Sequence, residues 1–138
     1  MRRVLAVLAL TACLASSISR QSAGSSLGSQ SELDRLLETW QNRLGLSEWT
    51  IQARLVLQNS LGSEENGYIK VADISYDHDD LTATIRVGQA PREQIEESLL
   101  HELVHLQLEA WQPPSDPVQE EQTVETIANA LHRSWNLQ

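Results

Sequence analysis

The sequence predicts a single α+β domain in which a short mixed sheet of about three strands packs against three helices. Apolar residues recur at helical spacing in the first and last parts of this domain, which indicates amphipathic helices. Between them, short segments alternate apolar and polar residues, as half-buried strands do. The chain has 138 residues, of which 41% are hydrophobic and 21% charged, as expected for one globular domain.

The first 30 residues are expected to lie outside the folded domain. Residues 1–19 are predicted to be an export signal, because two arginines precede a short apolar run and then small residues. The segment Leu10-Thr11-Ala12-Cys13 resembles a bacterial lipobox, in which Cys13 would carry the lipid; the alternative is an ordinary cleaved signal. Residues 20–30 are rich in Ser and Gly and are predicted to form a flexible linker.

The domain itself is predicted to span residues 31–138, beginning with a helix. Ser31 is the expected N-cap, and Gly45 is the expected end of this helix. The buried face of the helix is predicted to contain Leu33, Leu36, Leu37, Trp40 and Leu44. Strands are then predicted at residues 49–57, 68–76 and 81–87.

Two further helices are predicted in the second half of the chain. Pro91 lies near the start of the first, which is expected to run to about residue 111. Three prolines within residues 112–117 end that helix. The last helix is expected at about residues 118–135. Its predicted buried stripe consists of Val124, Ile127, Ala128 and Leu131.

The segment Asp77-His78-Asp79-Asp80 lies between the second and third predicted strands. A calcium ion or a second zinc ion could bind such an acidic group. However, the segment lacks the glycine and the distal glutamate of a calcium loop. Because Asp is favoured in turns, we interpret it as the solvated tip of a hairpin.

The segment His101-Glu102-Leu103-Val104-His105 lies within the second predicted helix. Histidines four residues apart project from one face of a helix, so their imidazoles can bind one tetrahedral zinc ion. Glu102 lies beside them without being a ligand, where a carboxylate can take a proton from zinc-bound water. Leucines and a valine flank the motif, which predicts a buried helix whose polar residues need a partner such as a metal.

A catalytic zinc ion needs a third protein ligand and leaves a fourth position to water. In the last predicted helix, Glu121 and Glu125 are four residues apart and share one face. His132 is too far along that helix to bind the same ion if Glu125 points at it, and we interpret it as structural or exposed. The carboxylates and imidazole available after the motif are Glu109, Asp116, Glu120, Glu121, Glu125 and His132.

These motifs resemble the zincin metallopeptidases, and the domain resembles the small single-domain zincins of bacteria and their phages. The pair of acids in the last helix is similar to that of the gluzincins. The resemblance implies that Glu121 is the third zinc ligand and that Glu125 is the outer partner fixing the tautomer of His101 or His105. The main alternative is Glu125 as the ligand, and Glu120 ranks below both.

The resemblance also implies how substrate would bind. In zincins the strand before the motif helix is usually an edge strand that pairs with extended substrate, which points to residues 81–87. No His or Tyr after the metal motif is an obvious oxyanion donor. Tyr68 and Tyr76 are the candidates for that role.

We therefore expect a zinc-dependent peptidase that cleaves peptide or protein substrates through a zinc-bound water activated by Glu102. The alternative is a non-catalytic zinc-binding or partner-binding exported lipoprotein. We expect a periplasmic or cell-envelope location, with a membrane tether if Cys13 is lipidated. The net charge of −9 argues against nucleic acid as a partner, and the single cysteine excludes an internal disulfide.

Overall fold

The computed structural model describes residues 8–9, 27–63, 69–111 and 116–135. These residues form three helices and a mixed sheet, which confirms the predicted α+β class. Cys13, Tyr68, nearly all of the predicted export signal and residues 112–115 lie outside the described residues. The elements in chain order are β1 (Leu8–Ala9), α1 (Gln30–Arg43), β2 (Thr50–Val56), a 3₁₀ helix (Gln58–Ser60), β3 (Ala72–Asp77), β4 (Thr82–Gly88), α2 (Arg92–Trp111) and α3 (Pro117–Trp135).

A capping box of Ser29 and Glu32 fixes the start of α1. The Ser29 side chain accepts a hydrogen bond from the Glu32 backbone N–H, and the Glu32 carboxylate accepts one from the Ser29 backbone N–H at 2.8 Å. The prediction of Ser31 as the N-cap is therefore wrong by two residues. Leu27, within the predicted linker, forms a β-bridge with Pro91 just before α2. As predicted, Gly45 follows the helix, with a φ of 68°.

The strand that precedes α2 lies in the middle of the sheet. The spatial order is β1-β3-β4-β2, with β3 antiparallel to β4 and β2 parallel to β4. The prediction that residues 81–87 form an edge strand is therefore wrong. One side of β4 is occupied by its hairpin partner β3, and the other side by its parallel partner β2.

The turn between β3 and β4 is closed by hydrogen bonds between the Asp77 side chain and the backbone. The Asp77 carboxylate accepts hydrogen bonds from the backbone N–H groups of Asp79 and Asp80, at 3.0 and 3.3 Å. Residues 78–80 are exposed. These bonds occupy an oxygen of Asp77, as expected if the acidic segment is a hairpin turn.

Helix α2 is at the centre of the fold. It packs against β3 and β4 on one side and against α1 and α3 on others. Its leucines Leu99, Leu100, Leu103 and Leu106 have no exposed surface. Val124 and Ala128 of α3 are buried and Ile127 and Leu131 partly so, which confirms the predicted stripe. Among the described residues, none of the helices is both long enough and apolar enough to cross a membrane.

Candidate metal centre

Beside the buried Glu96, helix α2 places three neighbouring polar side chains in the core. His101 is 7% exposed, and Glu102 and His105 are each 1% exposed. Because α2 is packed between the sheet and α3, these side chains are removed from water. Buried polar groups of this kind must find partners within the protein or bind a ligand.

Helix α3 brings a carboxylate to the two histidines. The Nε2 atoms of His101 and His105 lie 3.0 Å apart. The two carboxylate oxygens of Glu121 lie 3.4 Å from Nε2 of His101 and 3.1 Å from Nε2 of His105. Two imidazole nitrogens and one carboxylate, from two different helices, therefore converge on one point.

The donor atoms lie close enough together to hold one metal ion. With metal–ligand distances of about 2.0–2.1 Å, two ligands of a tetrahedral zinc ion are about 3.3 Å apart. The two Nε2 atoms lie 3.0 Å apart, one oxygen of Glu121 lies 3.4 Å from His101, and the other lies 3.1 Å from His105. His101, His105 and Glu121 could therefore hold a metal ion, and among the described residues this is the one group of three or more such side chains.

A second carboxylate of α3 contacts the outer side of His105. An oxygen of Glu120 lies 3.0 Å from His105 Nδ1, and Glu120 is 8% exposed. This contact fixes the ring so that Nε2 is directed at the donor group. Glu125, to which the resemblance assigned this outer role, is exposed and acts on His101 as a nearby negative charge.

Burial and neighbouring charges shift the pKa of each member of this group. Burial lowers the pKa of His101 and favours the neutral imidazole. Burial also acts to lower the pKa of His105, but Glu121, Glu102 and Glu120 outweigh it and the net shift is upward. Burial acts to raise the pKa of Glu121, yet the two histidines outweigh it and lower that pKa to about 2. Glu121 is therefore an ionised ligand at any ordinary pH.

Glu102 differs from the other members of the site in having no partner. Within the described residues, neither of its carboxylate oxygens makes a hydrogen bond. Burial raises its pKa to about 8, Glu121 and Asp73 add to the rise, and His105 and Lys70 oppose it. A carboxyl group that is buried, unpaired and able to change its protonation near neutral pH has the properties of a general base.

Tyr76 lies on the outer side of the site. Burial raises its pKa to about 12, and its hydroxyl is hydrogen-bonded to Glu109 and close to the charge of Glu120. Glu120 contacts the ring nitrogen of His105 that faces away from the donor group. Tyr76 is therefore associated with the outer shell of the site, while Tyr68 lies outside the described residues.

The sequence does carry a signal for the outer role of Glu120. A carboxylate that contacts Nδ1 approaches the imidazole from a different side than one that faces Nε2. Neighbouring residues of a helix point about 100° apart, so adjacent acids can reach both sides of one ring. The dipeptide Glu120-Glu121 meets this requirement, and two acids four residues apart on one face do not.

Comparison with known proteins was made at three levels. No protein-family model, no curated protein and no solved structure matches this chain. The function proposed below therefore depends on the geometry and chemistry of the site itself.

Proposed function

We propose that this chain is a zinc-dependent metallopeptidase of the zincin type. The observation that carries the proposal is the convergence of His101, His105 and Glu121 beside the buried, unpaired carboxyl group of Glu102. Two imidazoles and one carboxylate are a ligand set of catalytic zinc sites, which leave a fourth position open. Nitrogen-rich sites of this kind suit zinc better than calcium or magnesium, which prefer oxygen ligands.

The chain supplies the groups that hydrolysis of a peptide bond requires. A zinc ion held by this group would acidify water and polarise the carbonyl of the substrate. Glu102, whose carboxylate form a bound cation would favour, would accept the proton of the attacking water and pass it to the leaving amine. Glu120 would hold His105 in the orientation that presents Nε2 to the metal.

Metal content and peptide cleavage, measured together, test the proposal. The purified protein should contain about one zinc ion per chain and cleave a mixed library of quenched fluorescent peptides. Glu102→Gln should keep the zinc and lose cleavage, because the amide cannot accept the proton. Glu38→Gln, an exposed site on α1, is the matched control and should leave both properties unchanged.

Two outcomes would replace the proposal with the alternatives. Stoichiometric zinc without cleavage of any peptide would indicate a non-catalytic zinc-binding protein. Purification without zinc, and no zinc uptake on titration, would indicate that the histidine pair has another role, such as in a partner-binding lipoprotein. Cleavage that survives Glu102→Gln would refute the assignment of the general base.

We also propose that the chain is exported to the periplasm or cell envelope. The support is the composition of residues 1–19 and the lipobox-like segment that ends at Cys13. Mass spectrometry of the mature protein tests this. An N-terminus at Cys13 with added acyl mass supports the lipid tether, and an intact N-terminal methionine contradicts export by a cleaved signal.

A further inference from the structure

A second polar cluster joins the three helices away from the metal centre. His132 of α3 lies between two carboxylates of α2. Its Nδ1 is 3.4 Å from an oxygen of Glu97, and its Nε2 is 4.0 Å from an oxygen of Glu96. Glu96 also accepts a hydrogen bond of 3.0 Å from the indole N–H of Trp40 in α1. We refer to His132, Glu96, Glu97 and Trp40 as the helix clasp.

Aromatic and cationic side chains extend the helix clasp. The Arg43 guanidinium carbon lies 3.1 Å from the ring centroid of Trp135 and 5.1 Å from that of Trp40. The two indole rings pack edge to face, with centroids 6.5 Å apart. The end of α3 is therefore attached to α1 as well as to α2.

The geometry of the helix clasp excludes a second metal site. The two carboxylates approach opposite nitrogens of one imidazole ring, so no single ion can contact His132 together with both of them. The cluster is instead a bridge between helices. Each ring nitrogen of His132 faces a carboxylate oxygen of α2.

The position of His132 on α3 relates it directly to the metal centre. It follows Glu121 by eleven residues, which is close to three helical turns, or about 16 Å along the axis. His132 and Glu121 therefore lie on the same stripe of α3, the one that also carries the buried Val124 and Ala128. A contact that fixes the rotation of α3 about its axis at His132 therefore also fixes the direction in which Glu121 projects.

We propose that His132 is a positioning residue for the metal centre. Held between Glu96 and Glu97, it sets the rotation of α3 that directs Glu121 at His101 and His105. The proposal rests on the metal site described under the proposed function. Beside these contacts, Arg43 of α1 stacks on Trp135, and Arg133 of α3 is exposed.

Zinc affinity tests this role. The protein, His132→Gln and the neighbouring control Arg133→Gln are titrated with zinc against a chromophoric chelator at one fixed pH. We expect His132→Gln to bind zinc about tenfold more weakly than the unsubstituted protein, as in other cases of coupling between distant sites. Arg133→Gln should bind zinc as tightly as the unsubstituted protein.

A second control separates positioning from loss of stability. Ile85→Val weakens the sheet core away from the helix clasp, and it should bind zinc normally if stability alone does not control affinity. Unchanged zinc affinity for His132→Gln, or an equal loss for Ile85→Val, overturns the positioning role. No zinc binding by the unsubstituted protein would instead refute the proposed function itself.

Discussion

Replacing Glu102 with glutamine should stabilise the metal-free protein at neutral pH. Burial raises the pKa of this carboxyl group from 4.5 to about 8. Below pH 4.5 it is protonated in both the folded and the unfolded chain, so it has no effect on the pH dependence. Between the two values the unfolded chain releases the proton while the folded chain keeps it, and this favours unfolding as the pH rises.

The size of the effect follows from the same two pKa values. Each pH unit between them lowers the free energy of unfolding by up to about 1.4 kcal/mol. Between pH 5 and pH 7 the unsubstituted protein should therefore lose about 2–3 kcal/mol relative to Glu102→Gln, whose amide does not titrate. Above the folded-state pKa the difference should level off at about 5 kcal/mol.

Urea unfolding in the presence of a chelator measures this difference. The four tryptophans of the chain provide the fluorescence signal, and Glu38→Gln serves as the exposed control. Saturating zinc should shrink the difference, because a nearby divalent cation favours the carboxylate form of Glu102. If Glu102→Gln and the unsubstituted protein show parallel pH profiles without metal, the carboxyl group is not held protonated by burial and the reasoning fails.

Three further substitutions test other parts of the structure. Zinc at a hundredfold excess over its Kd should stabilise the unsubstituted protein by about 2.7 kcal/mol. Glu121→Ala removes one of the three metal donors, so the same zinc concentration should leave the Tm of this variant unchanged. Glu120→Gln should weaken zinc binding by about 10–100-fold in chelator competition, and a larger loss for Glu125→Gln would return the outer position to Glu125. Leu103→Ala, at a fully buried position of α2, should cost about 2–5 kcal/mol in urea unfolding, and a cost below 1 kcal/mol would contradict its place in the core.

The helices were predictable because their ends are marked in the sequence. Helix α2 begins just after Pro91 and ends just before the segment that contains three prolines, and α3 begins within one residue of its predicted start. The N-cap of α1 was predicted wrongly because Ser29 and Ser31 both precede an acid by three residues. Glutamate is long enough to reach back to the N-cap backbone and aspartate is shorter, which favours Ser29 with Glu32.

The order of the strands and the role of each acid depend on contacts that local patterns do not contain. Alternation of apolar and polar residues identifies β4 as a strand but is the same for an edge strand and a central one. Likewise, Glu120, Glu121 and Glu125 differ mainly in their angle around the axis of α3. That angle is set by packing against α2, so spacing within α3 identifies Glu120 and Glu121 as a pair but does not show which acid faces Nε2.

The charges of the site argue for a bound cation more strongly than any one contact does. Three carboxyl groups, those of Glu102, Glu120 and Glu121, surround two imidazoles, and all of these side chains except that of Glu121 are buried. Without a cation this arrangement is costly: Glu102 must keep its proton up to about pH 8, and Nε2 of His105 faces another imidazole at 3.0 Å. A divalent cation between the three donors would remove both costs at once, because it replaces the contact between nitrogens and stabilises the Glu102 carboxylate. Folding and metal binding should therefore be coupled in this chain, with the metal-free protein retaining the fold at lower stability.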